Sequence, residues 1–378
     1  MNEKIATRII FFIAGVATAT WAVLVPFARF NTGVNEGLLG TLLLCLGFGA
    51  MLAMPVTGTL TSRYGCRSVI IGAVAVVVVS MPFLSFVSSP SLLGISLFIF
   101  GVGIGLTDCA MNVQAILVEK NAGKPLMSGF HGMYSVGGIA GAGIMTGLLS
   151  LELSIFSATV IISVIVCLLL LSCFRQLLTY ANPAEGPAFA MPRGTVLILG
   201  LICFIVFMAE GTVLDWSAVY LVDIRNVPES LGGLGFAAFA TAMTAGRLAG
   251  DYVVRRLGAL TIVLAGAVAA IVGFLIVIYG THLVSLLAGY LLIGIGCANI
   301  VPVMFSQIGK QTSMSQMVAV PAVTTLGYIG VLSGPAVIGY IAHHSRLAYG
   351  FIFVAVLLLI AFGLTYSIRN LLKSGQSV

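Results

Sequence analysis

Twelve stretches of the chain are apolar from end to end, at about 8–28, 36–60, 68–88, 91–118, 128–149, 153–174, 194–222, 230–254, 259–280, 283–309, 317–342 and 347–369. Short polar segments separate them. Apolar residues follow one another without the in-out alternation that a lipid-facing barrel strand requires, so a barrel is excluded. About twenty such residues make a helix long enough to cross a hydrocarbon layer of about 30 Å, and a helix satisfies its own backbone groups there. The pattern predicts an all-α membrane protein with twelve transmembrane helices. The first stretch is long, lacks an A-x-A exit and is followed by eleven more, so it is read as span 1 and not as a cleaved leader.

Composition sharpens this. Of 378 residues, 60% are hydrophobic and 7% charged, against about 25% charged in a soluble domain. So few charges cannot coat a water-facing surface, and membrane lipid must be the main solvent. The seven cysteines are scattered through apolar runs without metal-ligand spacing and read as small core residues. No nucleotide loop, metal cluster or nucleophile elbow is visible, so neither an enzyme nor a metal or cofactor is expected.

Charge placement gives orientation. With the N-terminus in the cytoplasm, thirteen of the seventeen Lys and Arg residues fall in inner loops and three, Arg29, Arg225 and Arg346, in outer ones, while Arg247 lies within a span. The positive-inside rule then puts both termini in the cytoplasm of a bacterial-type inner membrane. The net charge of +6 belongs to those loops, beside anionic lipid, and not to a nucleic-acid surface. Residues 175–193, with three prolines, read as a flexible cytoplasmic linker between a bundle at 1–174 and a bundle at 194–378.

The two halves echo each other. Gly103-Ile104-Gly105 followed by Asp108 in span 4 matches Gly294-Ile295-Gly296 followed by Asn299 in span 10, and Arg63 and Gly65 match Arg256 and Gly258. Repeated halves are a recurring plan of secondary transporters, with the substrate near the midplane.

At this point the chain resembles the major facilitator superfamily, over its whole length. The family's segment G-x-L-A-D-R-x-G-R-K is similar to Gly58-Thr59-Leu60-Thr61-Ser62-Arg63-Tyr64-Gly65-Cys66-Arg67, with Ser62 where the family has an acid. The second copy, from Gly246-Arg247 through Asp251 to Gly258, keeps an acid. The resemblance implies two pseudo-symmetric six-helix bundles and a cytoplasmic gate of Arg63, Arg67, Arg247 and Asp251 that leans on the C-terminal copy. Span 4, from Gly103 through Asp108 to Ala110-Met111-Asn112, resembles the G-L-G-x-x-E-x-x-A-N segment of fucose-permease-like sugar/proton symporters. That implies proton coupling at Asp108. In span 1, where the fucose permease has a second acid, this chain has Thr18, Thr20 and Trp21.

Ionisable groups inside the membrane cost about 2.5–3.5 kcal/mol each on insertion scales and need an account. Three carboxylates qualify: Asp108, and Glu210 and Asp215 in span 7. A carboxylate whose surroundings alternate between dry and hydrated takes up and releases a proton, which is what coupling requires. Asp108 and Glu210 are the proton candidates, and Asp108 has Asn112 one turn along its face. Asp215 lies toward the outer end beside Trp216 and Tyr220, as a ligand group or as part of an interfacial belt. His131, opening span 5, is a proton-relay candidate or a hydrated helix-start histidine. Arg247 has Asp251 at i+4, which predicts an intrahelical ion pair. Trp21, Asn112, Gln114, Asn299, Gln307, Thr325 and Tyr328 offer the amides and aromatic faces that a hydroxyl-rich solute would use, or serve as interhelical glue. The small-residue pairs Gly137/Gly141, Gly143/Gly147 and Gly246/Gly250 are expected on the surface where the halves rock, and Pro302 and Pro335 are expected to kink spans 10 and 11.

The leading expectation is a monomeric secondary transporter that carries a small polar solute, a sugar or related metabolite, together with protons. The alternative is a proton-coupled exporter of drugs or other amphipathic compounds. Drug antiporters of this superfamily typically carry a G-P-x-x-G-G motif in span 5, which here reads Gly137-Gly138-Ile139-Ala140-Gly141 without proline.

Overall fold

A computed structural model describes residues 2–183 and 191–373. Among the described residues it is helical and has no strand. The helices are α1 (Glu3–Thr32), α2 (Glu36–Phe86), α3 (Pro90–Ala122), α4 (Met127–Ser150), α5 (Ile155–Cys173) and α6 (Thr195–Val219), then α7 (Leu234–Leu257), α8 (Ala259–Tyr279), α9 (Leu283–Cys297), α10 (Ile300–Ile308), α11 (Gln316–His344) and α12 (Leu347–Ser367), with a short α13 (Arg369–Lys373).

Ten helical segments among the described residues are long and apolar enough to cross a membrane. Two adjustments recover the expected twelve crossings. The 51 residues of α2 contain Gly65 at φ 79° and ψ 159°, a left-handed break that only glycine adopts cheaply, so α2 is two crossings joined by a sharp corner. The other missing crossing is α7, long enough at 24 residues but carrying Arg247, Asp251, Arg255 and Arg256. By contrast α9 and α10 are one crossing of 26 residues, Leu283–Ile308, interrupted at Ala298 and Asn299.

By packing, the chain forms two compact units of spans: residues 1–122, 133–190 and 315–321 make the first, and 123–132, 191–314 and 322–378 the second. In the first unit the glycines of α4 have a local task. A Cβ at Gly137 or Gly141 would collide with the backbone of Phe12 or Val16 of α1, whereas Gly143 and Gly147 have nothing within 4 Å. The expected rocking surface at Gly137 and Gly141 is therefore a tight seam within one unit. Gly246 likewise faces Ala298 and Ile295 inside the second unit.

The segment after α5 is tied down where flexibility was expected. The Arg67 guanidinium donates to the carbonyls of Arg175 and, at 3.2 Å, Leu177, and its backbone N–H donates to Leu178 O at 2.7 Å. Leu178 N–H in turn donates to Gln114 (3.2 Å), Asn121 donates to the Tyr180 hydroxyl (3.1 Å), and Asn182 donates to the Gln316 side chain (2.9 Å). Residues 175–182 thus form a strap across the corner of α2 at Gly65 and the C-terminal part of α3. The linker's remaining stretch at 184–190 lies outside the described residues. Charge-assisted hydrogen bonds contribute about 1.5–3 kcal/mol each, so Arg67→Ala should loosen the strap locally. The expected result is faster amide exchange at Leu178 and faster proteolysis near residue 180 with little change elsewhere. Unchanged exchange at Leu178 would show that the arginine does not hold it.

Candidate functional site

The second unit is organised around a carbonyl that its own helix leaves unsatisfied. A helical residue ordinarily receives the N–H four positions on, but four residues after Ala298 stands Pro302, which has none. The helix breaks at Ala298–Asn299, and the Ala298 carbonyl accepts instead from Nε of Arg247, reaching across from α7 at 3.3 Å. Pro302 was expected to kink its span; the structure adds what the kink exposes.

Arg247 is buried at 6% exposure. Its outer nitrogen faces the Glu210 carboxylate of α6, at 3.2 Å to Oε1 and 3.5 Å to Oε2. One guanidinium nitrogen serves both oxygens, an end-on contact and not the two-nitrogen fork that makes the strongest arginine–carboxylate pairs. The pair is not sealed, since 8% of the arginine side chain and 17% of the glutamate side chain remain accessible. Cys203 of α6 and Cys297 of α9 lie within electrostatic range of Glu210, and His131 within range of Arg247. The His131 ring packs 5.8 Å from that of Phe305.

Asp251 points elsewhere. Its carboxylate accepts from the backbone N–H of Gly129 at 2.9 Å, in the first turn of α4. Helix starts expose unsatisfied N–H groups and a partial positive charge, so an acid there is a cap supplied by another helix. Both members of the intrahelical pair expected from spacing thus also have a partner in another helix. Each side chain finds an otherwise unsatisfied backbone group in a neighbouring helix. Asn299 completes the junction. Its Nδ2 donates to Gly246 O at 3.0 Å, which fixes the amide's orientation, and its buried Oδ1 lies against Gly250, where a Cβ would also meet Ser128 at 2.5 Å. Only glycine fits that position.

The first unit holds Asp108, half-buried on α3. Its carboxylate has no hydrogen-bond or ion-pair partner among the described residues. Asn112 donates to the backbone carbonyl of Asp108 at 2.9 Å, not to its carboxylate, and keeps a buried, unpartnered Oδ1.

The other candidates disperse. Gln114 is engaged at both ends, donating to the Thr7 hydroxyl at 3.0 Å and accepting from Leu178, which makes it a tie between α1, α3 and the strap. Trp21 is 6% exposed on α1, near Thr18, which accepts from Tyr134 at 3.3 Å. Gln307, on α10, is buried with Oε1 unpartnered. Thr325 and Tyr328 are half-buried on α11. Asp215 is exposed near the C-terminal end of α6, as an interfacial residue would be. Arg63 is exposed and stacks on Tyr64 at 5.2 Å, while Arg67 holds the strap.

Two functional groups escaped the sequence reading because they belong to the backbone: Ala298 O and Gly129 N–H. Pro302 was the available signal for the first. Glu210 and Arg247 were both singled out, but their 37-residue separation concealed that they meet.

Comparison with known proteins follows the same architecture. The sequence model described as the Major Facilitator Superfamily matches residues 8–323. An uncharacterized MFS-type transporter of Yersinia pestis is 46% identical over 360 residues, covering 95% of this chain and 94% of its own. Membrane protein MosC of Rhizobium meliloti is 30% identical over 370 residues, covering 97% and 90%. Among solved structures, the fucose:proton symporter of E. coli superposes with a TM-score of 0.77 at 16% identity, covering 96% of this chain and 98% of the symporter.

Proposed function

The chain belongs to the major facilitator superfamily and is a multi-pass membrane transport protein, not an enzyme; from that premise we propose that it moves a small polar solute, a sugar or related metabolite, by proton-coupled alternating access. The observation that carries the proposal is the Asp108 carboxylate, set within a membrane-spanning helix and lacking a cation or a donor among the described residues. An isolated charge in that setting is costly, and a proton is the simplest neutraliser. Loading Asp108 with a proton on one side and emptying it on the other biases which state is populated, provided the two states bind the proton with different affinity.

Glu210 and Arg247 have a different part in this reading. Together they are neutral without a proton, and they offer a donor and an acceptor to a polar solute. Asp251 on the start of α4 is a gate element that such a cycle must release, and His131 beside Arg247 is a relay position. The positive-inside count supports an inner-membrane location with cytoplasmic termini.

The test is uptake by proteoliposomes under an imposed proton gradient, with a panel of neutral, acidic and amino sugars. Gradient-dependent accumulation of at least one of these solutes, abolished by a protonophore, is the expected result. Proton-driven extrusion of cationic dyes with no movement of any sugar would favour the exporter.

A further inference from the structure

We propose that the solute carries a carboxylate, and that this group replaces Glu210 on Arg247 when Glu210 takes up a proton. The inference rests on the proton-coupled reading above and gives it a substrate class.

Arg247 is a fixed cation. Its Nε is held by the Ala298 carbonyl that Pro302 leaves free, so the guanidinium stays where it is when its ion-pair partner changes. An arginine in a protein does not lose its proton. Whatever stands opposite it must therefore supply a negative charge as well as hydrogen-bond acceptors, in surroundings that include Cys203, Cys297, His131 and the Ala298 carbonyl. Glu210 meets that need in this state, end-on and incompletely buried, with one guanidinium nitrogen serving both of its oxygens. A neutral sugar hydroxyl can accept a hydrogen bond from Arg247 but cannot replace the charge. A solute carboxylate replaces both.

Proton balance follows directly. A proton from solution binds a Glu210 oxygen, the solute carboxylate accepts the guanidinium N–H, and the site is neutral before and after. Of the titratable groups nearby, Asp251 of α7 accepts from the Gly129 N–H, His131 at the start of α4 is cationic or neutral but never anionic, Cys203 and Cys297 are buried thiols, and Glu210 is the carboxylate hydrogen-bonded to the guanidinium. Acid and proton therefore enter the site together.

Thermal unfolding of the purified protein with D-gluconate, D-glucuronate, D-glucose and D-glucosamine tests the assignment. The two sugar acids should raise the unfolding midpoint, more at mildly acidic than at alkaline pH, and the neutral and amino sugars should not. Arg247→Gln should weaken sugar-acid binding about thirtyfold or more, as loss of one partner of a desolvated charge pair does. Glu210→Gln, which mimics the protonated acid, should make binding independent of pH; if that variant is too unstable to purify, the wild-type ligand and pH series decides. Stabilisation by glucose or glucosamine equal to that by the acids, or none by either acid, overturns the proposal. The two readings fail separately. Gradient-driven accumulation of a neutral sugar would leave proton coupling standing and remove the carboxylate, whereas sugar-acid binding without gradient-driven uptake would do the reverse.

Discussion

Asp108→Asn protein, reconstituted and given a proton gradient, should concentrate its solute about tenfold less per pH unit than the unaltered protein does. The substitution keeps the size and polarity of a half-buried side chain whose carboxylate has no partner among the described residues, so the helix around it has no reason to move. What disappears is the proton carried at Asp108. Each pH unit of gradient supplies about 1.4 kcal/mol per proton, which is about tenfold accumulation, and the variant should lose that factor completely. Exchange of internal for external solute needs no net proton movement and should continue. If Asp108→Asn vesicles concentrate solute as far as the unaltered protein does, Asp108 carries no coupled proton, and Glu210 is left as the coupling acid.

The second large effect concerns stability. Removing one partner of a buried ion pair costs about 3–5 kcal/mol, because the other charge is left uncompensated. The two single variants should not behave alike. Glu210→Gln strands a cation that cannot neutralise itself, whereas Arg247→Gln leaves a carboxylate that can bind a proton. Glu210→Gln should therefore be the less stable, and Glu210→Gln combined with Arg247→Gln should recover much of the loss. Comparing unfolding of the four proteins in one detergent measures this directly. Additive losses in the double variant would mean that the two residues do not act as a pair in the folded protein.

Much of this architecture is legible in the hydropathy pattern, for a physical reason. A bilayer forces each crossing into one long apolar helix, and that constraint is local enough to read residue by residue. It weakens where a crossing breaks the rule. The two crossings of α2 run into one another through Gly65, and α7 carries Arg247, Asp251, Arg255 and Arg256. The site was legible as a set of residues but not as a set of partners. Asp108 and Glu210 are conspicuous as acids in apolar surroundings, while Gln114 looks equally suited to a ligand and is in fact bound at both ends by Thr7 and Leu178. Side-chain type cannot separate those cases, because an amide that binds solute and an amide that ties helices have the same chemistry. Arg67 is similar: its place in a family motif suggests gating, and its hydrogen bonds run to the strap.

The pairing of Glu210 with Arg247 also bears on how the protein is made. During synthesis α7 reaches the lipid with an arginine near its middle, which alone disfavours insertion by about 2.5–3.5 kcal/mol. Its neighbour α6 has by then been translated and carries the compensating acid. The two helices gain by leaving the translocon as a hairpin, with their charges already joined, so the least hydrophobic crossing depends on the one before it for its passage into the membrane.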